Sequence, residues 1–208
     1  MPPRPPSRPG TKNGPVSVSP PGGVTYEPDA FGRAASDRYF RLLQERVAWK
    51  QERIAIFGRD VAMPRLTAWY GDVGASYTYS GLRNDPSPWT PELSELRDAV
   101  AARLRHRFNS VLLNRYRSGR DGVSWHSDDE PELGDEPVIA SLSFGATRRF
   151  LLRDRSTRKR AASLELEHGS LLVMRGRSQR VFQHCVPKDP RATGERINLT
   201  FRTILPDR

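Results

Sequence analysis

The chain has 208 residues, 36% of them apolar, and a mean hydropathy of −0.66, enough for one domain with a core and a short tail. No run approaches the ~18 apolar residues of a membrane span, and the charged, proline-bearing N-terminus lacks the apolar stretch of a secretory leader. A single cysteine excludes a disulfide framework and a four-cysteine zinc site, so an intracellular globular protein is expected. The net charge of +10, with 30 Arg against four Lys, favours a polyanionic partner, although a GC-rich genome would give the same arginine bias.

Residues 1–23 hold eight of the 18 prolines together with Arg4, Arg8 and Lys12, a composition that predicts a disordered basic tail before a domain spanning 24–208. Ser36 to Lys50 reads as a helix capped by Ser36, with Phe40, Leu43 and Val47 at helical spacing. Ile54–Phe57 and Arg65–Tyr70 read as strands around a turn at Gly58-Arg59-Asp60. A second helix runs from Pro91 to about Arg107, capped by Thr90, with Leu93, Leu96, Val100 and Leu104 along one face. After Phe108 come about seven short β-rich runs: Ser110–Tyr116, Val138–Phe144, Arg149–Arg153, Ser163–Leu166, Ser170–Met174, Val181–Cys185 and Arg196–Leu205. No room remains for helices between them, so the fold class is mainly β with flanking helices, an antiparallel barrel or two-sheet jelly roll.

In Trp125-His126-Ser127-Asp128, the imidazole and the carboxylate lie two residues apart and point the same way on an extended chain. Two polar loop residues would explain this pair alone. His184, inside the apolar run Val181–Val186, is the best third ligand, because an unpartnered imidazole there is costly. Two histidines and a carboxylate with other positions open suit a non-haem iron site. A core histidine bonded to backbone is the alternative for His184 alone. His106 suits a helix end as a cation, His168 reads as a turn residue, and Cys185 as a buried inert thiol.

Arg196-Ile197-Asn198-Leu199-Thr200-Phe201-Arg202 alternates strictly, placing Arg196, Asn198, Thr200 and Arg202 on one face. A solvated edge would also show this pattern. Beside a metal site, however, two guanidiniums suit a small dicarboxylate, to which Asn114 and Tyr116 can add donors. An open metal beside such a pocket points to 2-oxoglutarate.

With these residues in place, the chain from about Ile54 to Pro206 resembles the AlkB family of Fe(II)/2-oxoglutarate-dependent nucleic-acid demethylases, closest to its DNA-repair branch. The motifs are Ala68-Trp69-Tyr70-Gly71-Asp72, Tyr77-Thr78-Tyr79-Ser80-Gly81, Asn114-Arg115-Tyr116, His126-Ser127-Asp128-Asp129-Glu130, Ser141-Leu142-Ser143-Phe144-Gly145, His184 and the Arg196–Arg202 strand. The resemblance implies a double-stranded β-helix in which His126, Asp128 and His184 hold Fe(II). Arg196, Asn198 and Tyr116 would then bind the distal carboxylate of 2-oxoglutarate, with Asn114 and Arg202 near its chelating end. It implies consumption of O₂ and 2-oxoglutarate and removal of methyl groups as formaldehyde from 1-methyladenine- and 3-methylcytosine-type bases in DNA or RNA. Such a base must leave the stack.

Tyr77 and Tyr79 match base-pocket positions of the family, with ordinary strand packing as the alternative, and Glu130 would favour a cationic lesion, while the rest of the acidic segment 127–137 (Glu132, Asp135, Glu136) reads as a solvated loop. By the same resemblance, Phe57 stands where double-strand-acting relatives carry an intercalating wedge, with a core position as the alternative. The Arg148–Arg160 stretch is a candidate phosphate-binding hairpin, or a solvated loop. A monomer is expected. The rival readings are a non-catalytic basic nucleic-acid-binding module and an oxygenase of the same fold acting on protein or a small molecule.

Overall fold

The computed structural model describes residues 22–56, 59–79 and 82–206. In chain order these form β1 (Val24–Glu27), α1 (Arg33–Arg46), β2 (Arg53–Ile56), β3 (Arg59–Ala62), β4 (Leu66–Gly71), β5 (Tyr77–Tyr79), β6 (Leu82–Asn84) and α2 (Pro91–Leu104). There follow β7 (Ser110–Tyr116), β8 (Val123–His126), β9 (Ile139–Gly145), β10 (Arg148–Asp154), β11 (Arg160–Leu166), β12 (Ser170–Met174), α3 (Ser178–Val181), β13 (Phe182–Val186) and β14 (Arg196–Arg202).

Two antiparallel sheets face each other as a jelly roll: a six-stranded one ordered β1-β12-β9-β14-β7-β4 and a four-stranded one ordered β11-β10-β13-β8. The helices cover the outer face of the larger sheet. There Leu43 from α1 and Leu93, Leu96 and Val100 from α2 meet Val111, Leu113, Leu142, Ile197, Leu199 and Phe201 in one core cluster. Between the sheets, Phe150, Leu152, Leu166, Leu172, Met174 and Phe182 fill a second cluster. β14 is therefore covered on both faces, apolar outward to the helices and polar inward, so its alternation marks an interior cavity rather than a solvated edge.

The helix ends follow local chemistry in one case and depart from it in the other. Thr90 caps α2, its hydroxyl accepting from the Leu93 N–H at 3.4 Å, and the helix stops at Leu104 because Arg105 turns left-handed with φ 50°. α1 instead starts at Arg33 after Gly32 (φ 65°) with no side-chain cap, so Ser36 is a fully buried position inside the helix rather than its cap. It ends at Arg46, with Val47 extended, and Lys50 bridges Thr67.

The expected turn at Gly58-Arg59-Asp60 is also corrected. Arg59 and Asp60 belong to β3, which pairs with β2 in a separate hairpin held in part by Arg53 Nε donating to Asp60 at 2.6 Å. β4 joins the large sheet instead. β1 and β8 were not anticipated as strands. The tail, as far as residue 21, and Phe57 lie outside the described residues. Among the described residues no helix is long and apolar enough to cross a membrane.

Candidate metal centre and cosubstrate pocket

Strand register assembles the first group. β13 pairs with β8 so that His184 lies directly opposite His126, and the two rings stand 4.2 Å apart between centroids. Asp128, two residues past His126, completes a set whose ligating atoms all lie within 4.8 Å of one another. The Asp128 carboxylate sits 3.9 Å from His126 Nε2 and 3.8 Å from His184 Nε2.

Each member is oriented from behind. His126 Nδ1 donates to the Ser124 carbonyl (2.8 Å), leaving its Nε2 lone pair facing the group. Phe150 stacks on His184 at 5.2 Å. Gln179 Oε1 accepts the Asp128 N–H (2.9 Å), and the Ser127 hydroxyl donates to the Phe182 carbonyl (2.9 Å). Burial pushes His184 down to about 4, so its imidazole is neutral near pH 7. Burial alone would raise the Asp128 carboxyl, but Arg202, then His184 and His126, hold it below the ordinary range. Two imidazoles and an ionised carboxylate form a donor set that fits a divalent cation, Fe(II) included.

These residues line a cavity of about 680 Å³ whose other wall is the inner face of β14 and β7. The register sets Arg196 beside Tyr116 and Asn198 beside Asn114. Arg196 is 1% exposed, with Nη2 donating to the Ser143 hydroxyl at 2.9 Å. Its Nε and Nη1 have no protein partner, and no carboxylate pairs with it among the described residues. Its guanidinium lies 5.1 Å from the Tyr116 ring centroid. Burial pushes Arg196 below its usual value, with Tyr116 opposing. A buried cation with two orphaned donors is costly unless an anion arrives, so the pocket fits one carboxylate of a dianion.

The remaining expected residues are placed as follows. The Arg202 Nη2 donates to Asp128 at 2.7 Å, while its Nε has no partner among the described residues. Asn114 Oδ1 accepts from Arg65 Nε at 2.6 Å. Asn198 lines the cavity, but its amide already donates to the Ser141 hydroxyl and the Leu142 carbonyl. Glu130 stands at the lip; crowding by protein raises its carboxyl, Arg202 opposes and Asp128 adds to the rise. Tyr77 and Tyr79 share one face of β5 by backbone alternation, their side chains lying outside the description.

Other residues at the site were not singled out from sequence. Arg65, Trp125 and Lys188 line the main cavity, and Gln179 anchors the Asp128 amide. Trp69 lines an adjoining groove of about 430 Å³ that shares Ile54, Met63, Leu112, Glu130 and Arg202 with the cavity, its indole donating to the Ser110 hydroxyl at 2.7 Å. Trp69 lies in the Ala68–Asp72 motif without a role assigned to it, and the only sequence signal for Gln179 is an amphipathic residue in an apolar setting, which ordinary packing also produces.

Several expectations are corrected. Arg148 is interior, not on a phosphate-binding surface, and Arg149, Arg153 and Arg155 are engaged by Asp189, Gln183 and Asp129. Asp135 of the acidic segment is solvent-exposed and pairs with Arg180 at the surface. His106 is not the helix-end cation: burial, then Arg175, pushes its pKa down, and Arg175 itself donates to the Leu104 carbonyl at 3.4 Å. His168 does sit in a turn, its Nδ1 accepting the Gly145 N–H at 2.8 Å, and Cys185 is a buried free thiol.

The 2OG-Fe(II) oxygenase superfamily model matches residues 23–202. The chain is 43% identical over 203 residues to the alpha-ketoglutarate-dependent dioxygenase alkB homolog 3 of Bos taurus, covering 92% of this chain and 70% of that protein. It is 41% identical over 186 residues to the DNA oxidative demethylase ALKBH2 of Mus musculus, covering 85% and 78%. The chain belongs to the AlkB family. The fold agrees: the solved structure of OsALKBH1 superposes with a TM-score of 0.64 at 20% identity, covering 89% of this chain and 98% of that one. As an AlkB-family member of this superfamily, the protein is an Fe(II)- and 2-oxoglutarate-dependent dioxygenase.

Proposed function

We propose that the protein removes N-linked methyl groups from 1-methyladenine- and 3-methylcytosine-type bases in DNA, and in RNA presenting the same bases. The observation that carries this reading is the pairing of a two-histidine, one-carboxylate group with a buried, anion-hungry Arg196 across one cavity, in a chain of net charge +10. The relatives named as a DNA oxidative demethylase and an alkB-homologue dioxygenase support the substrate class.

His126, Asp128 and His184 would hold Fe(II), which with O₂ and 2-oxoglutarate supplies the oxidising power for hydroxylating the methyl group; formaldehyde then leaves the base. The chain's own residues bind and orient. Arg196, beside Tyr116, takes the distal carboxylate of 2-oxoglutarate. Arg202 secures the Asp128 carboxylate, and Asn114 presents its amide toward the chelating end. Asn198 braces the wall by holding Ser141 and the Leu142 carbonyl, which keeps Arg196 and Ser143 in register. The stacked apolar ring of Phe150 keeps water from His184.

A methylated pairing edge is inaccessible in a duplex, so the base enters flipped out or from a single strand. Trp69 and the Leu112 wall offer apolar contact for such a base, with Tyr77 and Tyr79 on the neighbouring hairpin and Phe57 at the β2–β3 tip filling the vacated stack. Glu130 favours a cationic base, because a carboxyl whose surroundings oppose ionisation gains most from a positive partner. The catalytic unit is residues 24–208, acting as a monomer wherever the nucleic acid resides inside the cell, with residues 1–23 an accessory basic tail.

The test is formaldehyde release from oligonucleotides bearing 1-methyladenine or 3-methylcytosine, with Fe(II) or 2-oxoglutarate each omitted in turn. Release that requires both supports the proposal. Nucleic-acid binding without 2-oxoglutarate turnover would leave only a binding module.

A further inference from the structure

One buried cation is not used by the reading above. Arg148, the first residue of β10, is 2% exposed and has no ion pair among the described residues. Its Nη1 donates to the Ser118 carbonyl at 3.2 Å, and its Nη2 to the carbonyls of Asp121 at 2.7 Å and Pro187 at 2.8 Å. Its guanidinium also lies 5.5 Å from the centroid of Tyr116, the same ring over which Arg196 lies at 5.1 Å. Two cations therefore share one aromatic ring of the cavity wall.

The three carbonyls come from two loops that border the cavity at Gly122 and Lys188. One follows β7, which carries Tyr116; the other follows β13, which carries His184. The loops meet backbone to backbone: Asp189 N–H donates to the Gly119 carbonyl at 2.9 Å, and a Cβ on Gly119 would fall 1.8 Å from the Asp189 oxygen. No side chain fits between them at this contact, and the Arg148 fork from β10 bonds the main chain of both loops at once, alongside the pairing of Arg149 with Asp189. The Asp121 side chain is occupied elsewhere, accepting from Arg117 Nε at 2.7 Å and Nη2 at 2.9 Å, so Arg148 bonds main chain only.

We propose that Arg148 is a positioning residue for the distal-carboxylate end of the 2-oxoglutarate site: by clamping both loops and packing on Tyr116, it holds the Tyr116 ring where Arg196 can meet the carboxylate. This rests on the assignment of Arg196 and Tyr116 to that carboxylate. Arg148 does not touch the ligand. Its influence passes through the ring and the added positive field, so it acts on ligands that carry the distal charge and not on those that lack it.

The experiment measures dissociation constants by calorimetry for the full chain loaded with Mn(II), which binds without turnover. The probes are 2-oxoglutarate and 2-oxobutanoate, which share the 2-oxo acid end but differ in the distal carboxylate. For Arg148→Gln we expect 2-oxoglutarate to weaken by about tenfold and 2-oxobutanoate by less than about twofold. Arg148→Lys, which keeps the charge but not the fork, should fall between this variant and the parent. Equal weakening of both ligands, or no weakening of either, overturns the proposal.

Thermal unfolding of each variant checks the fold; if Arg148→Gln does not fold, the Arg148→Lys ligand ratio decides by the same criterion. Arg196→Gln, run in parallel, separates the two assignments. If it leaves the ligand ratio unchanged, the assignment of Arg196 is wrong. If it shifts the ratio while the Arg148 variants do not, only the role of Arg148 is wrong.

Discussion

Arginine does opposite work at the cavity floor and in the β10–β11 turn. On the floor, Arg196 is buried with two donors that no described residue satisfies. Around the turn, Arg155 donates to Asp129 at 2.6 Å, and both Arg153 (2.7 Å) and Arg158 (2.5 Å) donate to Gln183. Arg153 additionally lies 4.2 Å from the Trp125 centroid. Residue type alone would assign both regions to anion binding. Burial and unmet hydrogen bonding separate them: the floor is incomplete without a ligand, whereas the turn is nearly complete in itself.

The largest effects should follow from emptying the floor and the metal group facing it. Asp128→Ala removes a ligand and strands Arg202, so formaldehyde release should fall below about a thousandth of the parent rate, as should chelation of the metal, the latter restored by Fe(II). Arg196→Met should cost about 3 kcal/mol of 2-oxoglutarate binding, roughly 100-fold in dissociation constant. A loss of threefold or less there would mean the orphaned donors serve the fold rather than a carboxylate.

The lip should respond more weakly and selectively. Glu130→Gln is expected to slow turnover of cationic 3-methylcytosine about tenfold while leaving a neutral methylated base such as 3-methylthymine nearly unchanged. Equal losses on the two bases would remove the proposed charge recognition, since both enter by the same mouth.

What was legible beforehand follows the same division between local and long-range causes. The β14 alternation and the α2 start at Thr90-Pro91 are written in adjacent residues, so their faces and ends were readable, and with them Arg196 and Arg202. The placement of His184 opposite His126 depends on β13–β8 register across 58 residues; it was reached only because an imidazole in an apolar run needs a partner. β8 itself, Val-Ser-Trp-His, does alternate apolar and polar, but a run of only four residues is too short to announce a strand. The α1 start was misread because a glycine with positive φ supplies the turn that Ser36 was expected to cap. Arg59-Asp60 resembles turn chemistry, yet Asp60 is a strand residue held by Arg53. The identity of an arginine's partners was the least accessible feature, because Asp129 and Gln183 reach the turn from other strands and loops.

The smallest expected effects test whether that turn is in fact self-contained. Lys159 and Arg160 are its exposed cations without an acceptor among the described residues, so replacing either with Ala should weaken oligonucleotide binding no more than about threefold, with the salt slope falling by roughly one per residue. Asp154 holds the turn internally, one carboxylate oxygen accepting from the Ser156 N–H (3.0 Å) and hydroxyl (2.7 Å) and from the Thr157 N–H (2.7 Å) and hydroxyl (3.0 Å). These bonds, the Thr157 N–H foremost, draw its pKa down to about 2. Because the folded value lies below the unfolded one of about 3.9, the carboxylate steadies the turn at every pH above roughly 4, and its contribution is lost as the pH falls toward 2. A carboxyl-carbon NMR titration should place the Asp154 midpoint near that value, with the Thr157 amide shift following it and Asp154→Asn abolishing the transition. A midpoint at the ordinary value would show a turn that is not prebuilt, and its arginines would then be free to reorganise around a phosphate.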